Sequence, residues 1–599
     1  MNQDTSLYKI SLQSICHNIK FMNSKKLKSL PPSVLVDLFE TMVEYKLWDR
    51  LYLELSDLDC IFRILRFGPN KRQSVINCVA QLMQHFNICE RLCQLFYELE
   101  CIKSGKTKNL REAVNCGMLI GGFLSECGWL SNALDILSKV FEKVQILLKT
   151  SPSHDTNYLA LNCTQKLLYV QSAFCCFKDA AITTAQALDI ISELLSSSSS
   201  EITSQRLPSA LIASVYTQIS VLHFHRSEYI LSYDWSCRAL KYLKQDTPDK
   251  ITIDVLRQAA KACVVKRKFQ CANLLIKQAV ARARKVFGES HLKYSDALMD
   301  YGFFLLNVDS TTKSVNVYKK ALEIKQNILG SHNIFVAIAH EDLAYALYVL
   351  EYNSGRFDTA LNHISVCIDI MAELVQDNQL MQASAKRVKA LILEEIALDS
   401  MPLPTNSDRK SQPMLQESEK LHLAALNLSL EAFGKNNVQT AKHYGNLGRL
   451  YQSMCEYDKA ERMHKKAIKI KSDLLGCYDY EVGLSIGHLA SLYNYHMEKY
   501  REAEELYLKS IHINLKLFGR AYSGLEYDYR GLIHIYELTE DHENWIKYHN
   551  IMEDWRALRS GYEDGQKPLY DDIHEDGSME EVTKKFFEMN ANEETEVQA

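Results

Sequence analysis

An all-α fold, built as a helical solenoid of 42-residue repeats, is predicted by three observations. Only 10 prolines and 22 glycines punctuate 599 residues, while Leu, Lys, Glu and Ala abound, which favours long uninterrupted helices over many short strands. An apolar residue followed by glycine recurs as Phe287-Gly288, Leu329-Gly330, Phe433-Gly434, Leu475-Gly476 and Phe518-Gly519, with steps of 42 residues from Gly288 to Gly330, 42 from Gly434 to Gly476 and 43 from Gly476 to Gly519. Each such glycine is expected at a left-handed helix C′ position, its apolar neighbour packing back on the last turn. Counting back from each glycine finds small residues at offsets of 12 and 7: Gly448, Ala460 and Ala467; Ala260, Ala272 and Ala279; Gly302, Ser314 and Ala321; Gly121, Ala133 and Val140. With short insertions, Ala490, Ala503 and Ser510, and Ala344, Ala360 and Cys367, follow the same pattern. The physical reading is a hairpin of antiparallel helices that cross closely at the small residues and stack on the next hairpin.

Taken in order, residues 1–110 lack this signature and form a separate N-terminal helical region. Residues 111–245 form divergent repeats, interrupted by the Ser-rich "SELLSSSSSEITSQ" (192–205), expected to be mobile. Residues 246–400 carry clear repeats, 401–416 an inserted polar loop expected to be mobile, and 417–555 further repeats. Residues 556–599 are an acidic tail expected to wrap the last hairpin or to be partly disordered.

The net charge of −5, with acids and bases interleaved, argues against a nucleic-acid partner. No window of about 18 uncharged apolar residues and no signal peptide is seen, so an unsecreted soluble protein without an integral membrane segment is expected. The 17 cysteines lack framework spacing and are expected to be reduced core residues of a cytosolic or nuclear protein. No phosphate loop, zinc helix, nucleophile elbow or paired Cys-x-x-Cys is present. His85, Cys89 and Cys93, spaced four apart, are expected on one helix face, but no obvious fourth ligand follows, and packed core is the expected role. Cys175 and Cys176 point to different faces of a helix. No catalytic residue, metal or cofactor is expected.

Binding is the remaining task, and such solenoids bind along the face lined by the first helix of each hairpin. Positions around the first small residue give Asp254, Arg257, Lys261, Asp296, Asp300, Glu341, Asp342, Tyr345, Lys442, Asn446, Arg449, His488 and Ser491 as the candidate peptide groove. Its middle repeats read as acidic and its later ones as basic or neutral. That polarity suits an extended peptide with a basic side chain toward one end and a carboxylate or carbonyl toward the other.

The small-residue spacing resembles the tetratricopeptide repeat, and the 42-residue period the lengthened version of kinesin light chains. "VLRQAAKACVVKRKF" (255–269), "KYSDALMDYGFFLLNVD" (293–309), "AHEDLAYALY" (339–348), "KRVKALILEEIA" (386–397), "NVQTAKHYGNLGRLYQSM" (437–454) and "YSGLEYDYRGLI" (522–533) resemble the amyloid protein-binding protein 2 family. The resemblance implies a substrate receptor of a cullin-2 RING ubiquitin ligase that recruits proteins bearing a C-terminal Arg-x-x-Gly degron. It also implies binding to amyloid precursor protein-like cytoplasmic tails and association with microtubules. On that resemblance "SLYKISLQSI" (6–15) is similar to an elongin-binding box, with Leu7, Ser11 and Ile15 meeting elongin B/C. An overlapping frame uses Leu12 and Cys16. "LPPSVLVDL" (30–38) is similar to a cullin-2 box, with Leu30, Pro31, Val34 and Leu38. A trafficking adaptor linking membrane-protein tails to microtubules or motors is the competing expectation. The first 110 residues show no sustained heptads of the kind that bind a motor.

Overall fold

The computed structural model describes residues 6–19, 27–67, 71–103, 107–198, 208–352, 354–376, 379–399, 412–563, 573 and 577–598. Among them are 27 helices and no strand. Most of the inserted loop, and the end of the Ser-rich stretch at 199–205, lie outside the described residues.

Six helices make the N-terminal region: α1 (Leu7–His17), α2 (Pro32–Glu44), α3 (Trp48–Leu55), α4 (Leu58–Arg66), α5 (Arg72–Leu82) and α6 (Ile88–Lys103). Ten hairpins follow. They are α7 (Thr107–Glu126) with α8 (Leu130–Thr150), α9 (His154–Ala173) with α10 (Phe177–Ser198), α11 (Ser209–His225) with α12 (Tyr229–Lys241), α13 (Asp249–Val265) with α14 (Phe269–Phe287), and α15 (Leu292–Asn307) with α16 (Thr311–Leu329). The rest are α17 (Ile334–Leu350) with α18 (Asp358–Leu374), α19 (Met381–Asp399) with α20 (Pro413–Phe433), α21 (Val438–Ser453) with α22 (Tyr457–Leu475), α23 (Tyr480–His496) with α24 (Tyr500–Phe518), and α25 (Leu525–Leu538) with α26 (His542–Glu563). A last helix, α27, spans Met579–Gln598.

The small residues form the seam of each hairpin. Gly121, Gly302 and Gly448 lie where a Cβ would stand within 3 Å of Leu137, Tyr318 and His464 respectively, each on the opposing helix. Ala133, Ala272, Ala321, Ala460, Ala467 and Ala503 are all fully buried at the same crossing. Three hairpins use the same offsets with seam residues the sequence reading passed over. In α9/α10 they are Leu168, Ala180 and Ala187. In α11/α12 they are Ser220, Ser232 and Ala239, where the Ser220 hydroxyl bonds the Ser232 carbonyl at 2.7 Å. In α19/α20 the long insertion hid Ala390, Ser418 and Ala425: the Ser418 hydroxyl donates to the Ala390 carbonyl at 2.9 Å, as Ser314 donates to Gly302 at 2.8 Å.

The five repeat glycines differ from the left-handed C′ expectation. They sit at the C-cap with φ between 76° and 88° and an extended ψ, a region open essentially only to glycine. The left-handed residues are instead in the described turns that join a hairpin's two helices, among them Cys175, Arg267 and Cys455, with φ of 60°, 61° and 60°. Cys175 and Cys176 thus belong to a turn and not to a helix. Likewise α6 begins at Ile88, so His85 is not on the helix of Cys89 and Cys93; it stacks on Trp48 at 4.5 Å while both thiols are buried. No group of three or more potential ligands is placed to hold a metal among the described residues. Nor is any described helix long and apolar enough to cross a membrane.

First helices of successive hairpins pack on one another, α15 and α17 excepted, whereas second helices scarcely touch. The first helices therefore line the shorter, inner circumference. The coil closes on itself about every five hairpins. The Asn333 amide donates to the Cys127 carbonyl, 206 residues back, at 2.7 Å, and the Asn437 amide to the Arg226 carbonyl, 211 residues back, at 2.8 Å. Asp309 accepts from the Ser523 amide, 214 residues on, at 2.9 Å. The N-terminal region joins the same wall: Gln73 bonds Ser290 and Leu292, and Asn77 bonds Asn327.

The tail departs from its expectation. Met579, Val582 and Phe586 on α27, with Ile573 before it, are buried against the earlier repeats. Tyr233 donates to Asn590 at 2.7 Å and Arg284 to the Ile573 carbonyl at 2.9 Å. An amphipathic run inside an acidic segment thus seats on α12 and α14 and not on the helices of the last hairpin. Residues 564–572 and 574–576 of this tail lie outside the described residues.

Candidate peptide-binding lumen

The inner wall is built by a simple register. The residue just after a first-helix seam residue faces the residue two before the seam of the next hairpin. The clearest couple is Lys261 with Asp300, an ion pair at 3.4 Å. Opposite walls also feel one another. Tyr169, on α9, is raised chiefly by burial and then by the carboxylates of Asp296 and Asp254 from α15 and α13.

The acidic middle expected from sequence is largely neutralised inside the wall. Arg257 bonds Asp300 at 2.8 Å and pairs with Asp254 at 3.3 Å and Asp296 at 3.7 Å. Lys293 takes Asp254 at 2.6 Å, and Lys325 pairs with Asp296. Three carboxylates therefore meet four cations, and these cations hold Asp296 well below the usual carboxylate range against the opposing effect of burial. The basic end predicted at the later repeats is spent likewise. Lys442 pairs with Glu481 at 2.9 Å, and Arg449 with Glu395 at 2.7 Å and Glu394 at 3.5 Å, with the Tyr348 hydroxyl at 3.3 Å. Burial keeps His488 neutral, well below the ordinary histidine value, helped by nearby Arg449. Ser491 is buried and bonded to Tyr527. Asn446 stays half-buried on the wall.

Asp342 is different. It occupies the wall place held by Asp300 one hairpin earlier, but in the same register the counterpart of Lys261 is Phe303 and not a lysine. No ion pair or hydrogen bond reaches it, and desolvation, with Glu341 beside it, pushes its pKa up to about 8. Around it stand Glu341, bonded to Ser384, and Tyr345, whose ring lies 5.1 Å from the Arg387 guanidinium. Lys261 and Lys325 act on Asp342 only through space and lower it against burial, so this half-buried carboxyl beside an aromatic ring keeps its hydrogen-bonding capacity unspent on the described chain.

The second unpaired wall charge was missed by sequence reading. Lys166 stands two residues before the seam Leu168, at the Asp342 place of the α9/α10 hairpin, which an apolar seam residue had hidden. Its facing residue is Gly122.

At the N-terminus, Leu7 is 81% exposed, with Tyr8 and Ile10 about half exposed, whereas Leu12 and Cys16 are buried against α2. The Leu12/Cys16 frame is therefore packing, and Leu7 with Ser11 is the free face, Ile15 being partly covered. Leu30, Pro31 and Val34 keep accessible surface, but Leu38 has none and belongs to the core, a correction to its place among contact residues.

Residues 414–473 and 482–521 each match a tetratricopeptide repeat model. Amyloid protein-binding protein 2 of Mus musculus and that of Rattus norvegicus are each 42% identical to this chain over 587 residues, spanning 97% of it and 96% of the relative. The chain belongs to the amyloid protein-binding protein 2 family. Among solved structures, a Rap protein complexed with competence and sporulation factor aligns over 68% of this chain and 99% of its own, at 13% identity and a TM-score of 0.48. A Podosopora anserina putative kinesin light chain aligns over 38% and 96%, at 14% identity and a TM-score of 0.28. As a member of that family built from tetratricopeptide repeats, the chain is a repeat-based protein-binding scaffold.

Proposed function

We propose that this chain is a non-enzymatic substrate receptor of a cullin-2 RING ubiquitin ligase, holding a C-terminal or cytoplasmic-tail peptide of the Arg-x-x-Gly type in the lumen. The observation that carries the reading is Asp342, a carboxyl left without a cation in a wall where the neighbouring carboxylates have one. A peptide guanidinium meets that need bidentately, and a glycine lets the peptide backbone approach the wall. Leu7, 81% exposed on a helix whose other face is fixed to α2, supports a knob that enters elongin. Leu30, Pro31 and Val34 give the adjoining cullin surface. In this reading the chain supplies proximity, and the ligase chemistry resides in its partners. The relatives' name favours amyloid-type tails among the ligands, which keeps a tail-sorting role on microtubules compatible with it, in the cytoplasm and nucleus.

Two measurements test the reading. Capture of elongin and cullin by the wild type, lost in Leu7→Ser combined with Leu30→Ala and Pro31→Ala, is expected; a wild type that captures neither sinks the ligase assignment. An Arg-bearing tail peptide should bind Asp342→Asn about tenfold or more weakly. Because burial holds Asp342 protonated until about pH 8, wild-type affinity should rise as pH climbs toward 8, and the Asn variant should lose that rise.

A further inference from the structure

Lys166 has no ion-pair or hydrogen-bond partner on the described chain, although it is surrounded by charge. One turn along α7 from Gly122, Glu126 bridges Arg72 and Lys250, the latter at 2.7 Å. Burial opposes its ionisation, yet those two cations hold Glu126 down at about 2, so its carboxylate is fully committed. Three cations, Arg72, Lys250 and Lys166, thus share one carboxylate. Burial lowers the Lys166 ammonium below its ordinary value, and Lys250 and Arg72 push the same way, while Glu126 opposes them.

The glycine opposite decides the geometry. A Cβ at Gly122 would stand 3.2 Å from the Lys166 Nζ and 3.6 Å from its Cδ. Glycine therefore lets the lysine lie down along α7 inside the wall, and at the same time supplies no side chain to pair it. In the equivalent couple Lys261 meets Asp300. No described side chain completes the Lys166 couple, which leaves the place open to an incoming anion.

Resting on the lumen reading above, we propose that Lys166 is an anion-binding residue of the inner wall that receives a carboxylate of the bound peptide, at the opposite charge pole from Asp342. The predicted polarity of the groove is then reversed: the basic pole lies in the early repeats on α9, and the acid pole in the middle repeats on α17. The carboxylate comes either from the peptide's C-terminus or from an acidic side chain.

The test uses the full chain and three fluorescein-labelled twelve-residue peptides. The first carries one Glu upstream, ends in Arg-Ala-Ala-Gly and has a free C-terminal carboxyl. The second is its C-terminal amide, and the third has that Glu replaced by Gln. Anisotropy titrations compare wild type, Lys166→Gln and Asp342→Asn. Lys166→Gln is expected to bind the first peptide about tenfold more weakly. That deficit should vanish on the amide if the terminus is the ligand, or on the Gln peptide if the side chain is. Gly122→Ala, which keeps the charge but presses a methyl group against the ammonium at 3.2 Å, should show a smaller selective deficit of the same kind and covers the case where Lys166→Gln folds poorly. A Lys166→Gln deficit that is absent, or equal on all three peptides, overturns the proposal. If Asp342→Asn weakens binding while Lys166→Gln and Gly122→Ala do not, the lumen reading stands and the Lys166 assignment falls. A wild type that binds none of the three removes both.

Discussion

Gly448 shows how one missing methyl group sets the distance between two helices. A Cβ there would meet the buried His464 ring at 2.7 Å, with no flexible end to give way. Gly448→Ala is therefore expected to cost about 1–3 kcal/mol in urea unfolding. His464→Ala alone opens a cavity and also destabilises, but in the double variant the clash is gone, so the two penalties should sum to less than their parts. The control lies three residues away: a Cβ at Gly445 would stand 3.8 Å from the Ala467 Cβ, an ordinary contact. Gly445→Ala should be neutral, or stabilising by up to about 1 kcal/mol as a helix-interior glycine is replaced. Strict additivity of Gly448→Ala and His464→Ala would refute the notch-and-knob account. The same residue scale explains what sequence could not reveal about charge. Asp300 and Asp342 are alike as letters one repeat apart, and what separates them is the residue 39 positions earlier, Lys261 for the first and Phe303 for the second.

At the scale of the helix, α20 to α23 carry a column of histidines: His422, His443, His464 and His488. His422 and His464 fill the place four residues after the second seam residue, where other hairpins have Leu137, Ile276, Tyr318 or Ile364. Their ring nitrogens find no partner among the described residues. Burial, with Arg449 and Lys471 nearby, holds His464 at about 3, and burial with Arg387 and Lys442 holds His443 at about 3. A histidine free in the unfolded chain protonates near 6.5, so between about pH 6.5 and 3 the unfolded state binds the proton and the native state does not. Stability supported by these rings is thus complete above pH 6.5 and falls on acidification, by about 1 kcal/mol per ring between pH 6.5 and 5.5. Asp342 and Asp528, pushed up to about 8 and about 7 chiefly by burial, titrate with the opposite sign. The test therefore compares wild type with His422→Leu plus His464→Tyr, in which those opposing contributions cancel. The variant should lose less stability than wild type across that interval, read from the fluorescence of Trp545 and Trp555 at the C-terminal end; equal losses would count against the column. The hairpins were legible in sequence because their seam repeats within some 20 residues. Those of Leu168, Ser220 and Ala390 escaped because a leucine, a serine or a long insertion stands where a small residue at fixed spacing was sought.

The whole molecule is a coil whose successive turns touch, and this closure was illegible because it joins residues more than 200 apart through single polar groups. Asn333 and Asn437 each do two things at once. Their side-chain oxygens cap α17 and α21 by accepting from Phe335 at 2.9 Å and Gln439 at 2.8 Å, while their amide groups reach the Cys127 and Arg226 carbonyls of the preceding turn. The two roles are separable, since Asp caps a helix as well as Asn but has no amide to donate. Stacked rings hold the same seam, Phe177 on Phe433 at 5.5 Å and Phe269 against Phe518 at 5.6 Å. The double variant Asn333→Asp with Asn437→Asp should therefore keep its helix content by circular dichroism. Each lost cross-turn bond, now a carboxylate facing a carbonyl, removes about 1–3 kcal/mol of closure. The coil should lengthen, seen as a larger maximum dimension in small-angle X-ray scattering. A wall closed turn upon turn also limits how a peptide enters, so the loosened coil should bind Arg-bearing tails with a faster association rate but, with Asp342 and Lys166 less firmly placed, a faster release as well. An unchanged maximum dimension would assign closure to the aromatic contacts, and unchanged rates in a lengthened coil would mean that peptides enter through the open ends.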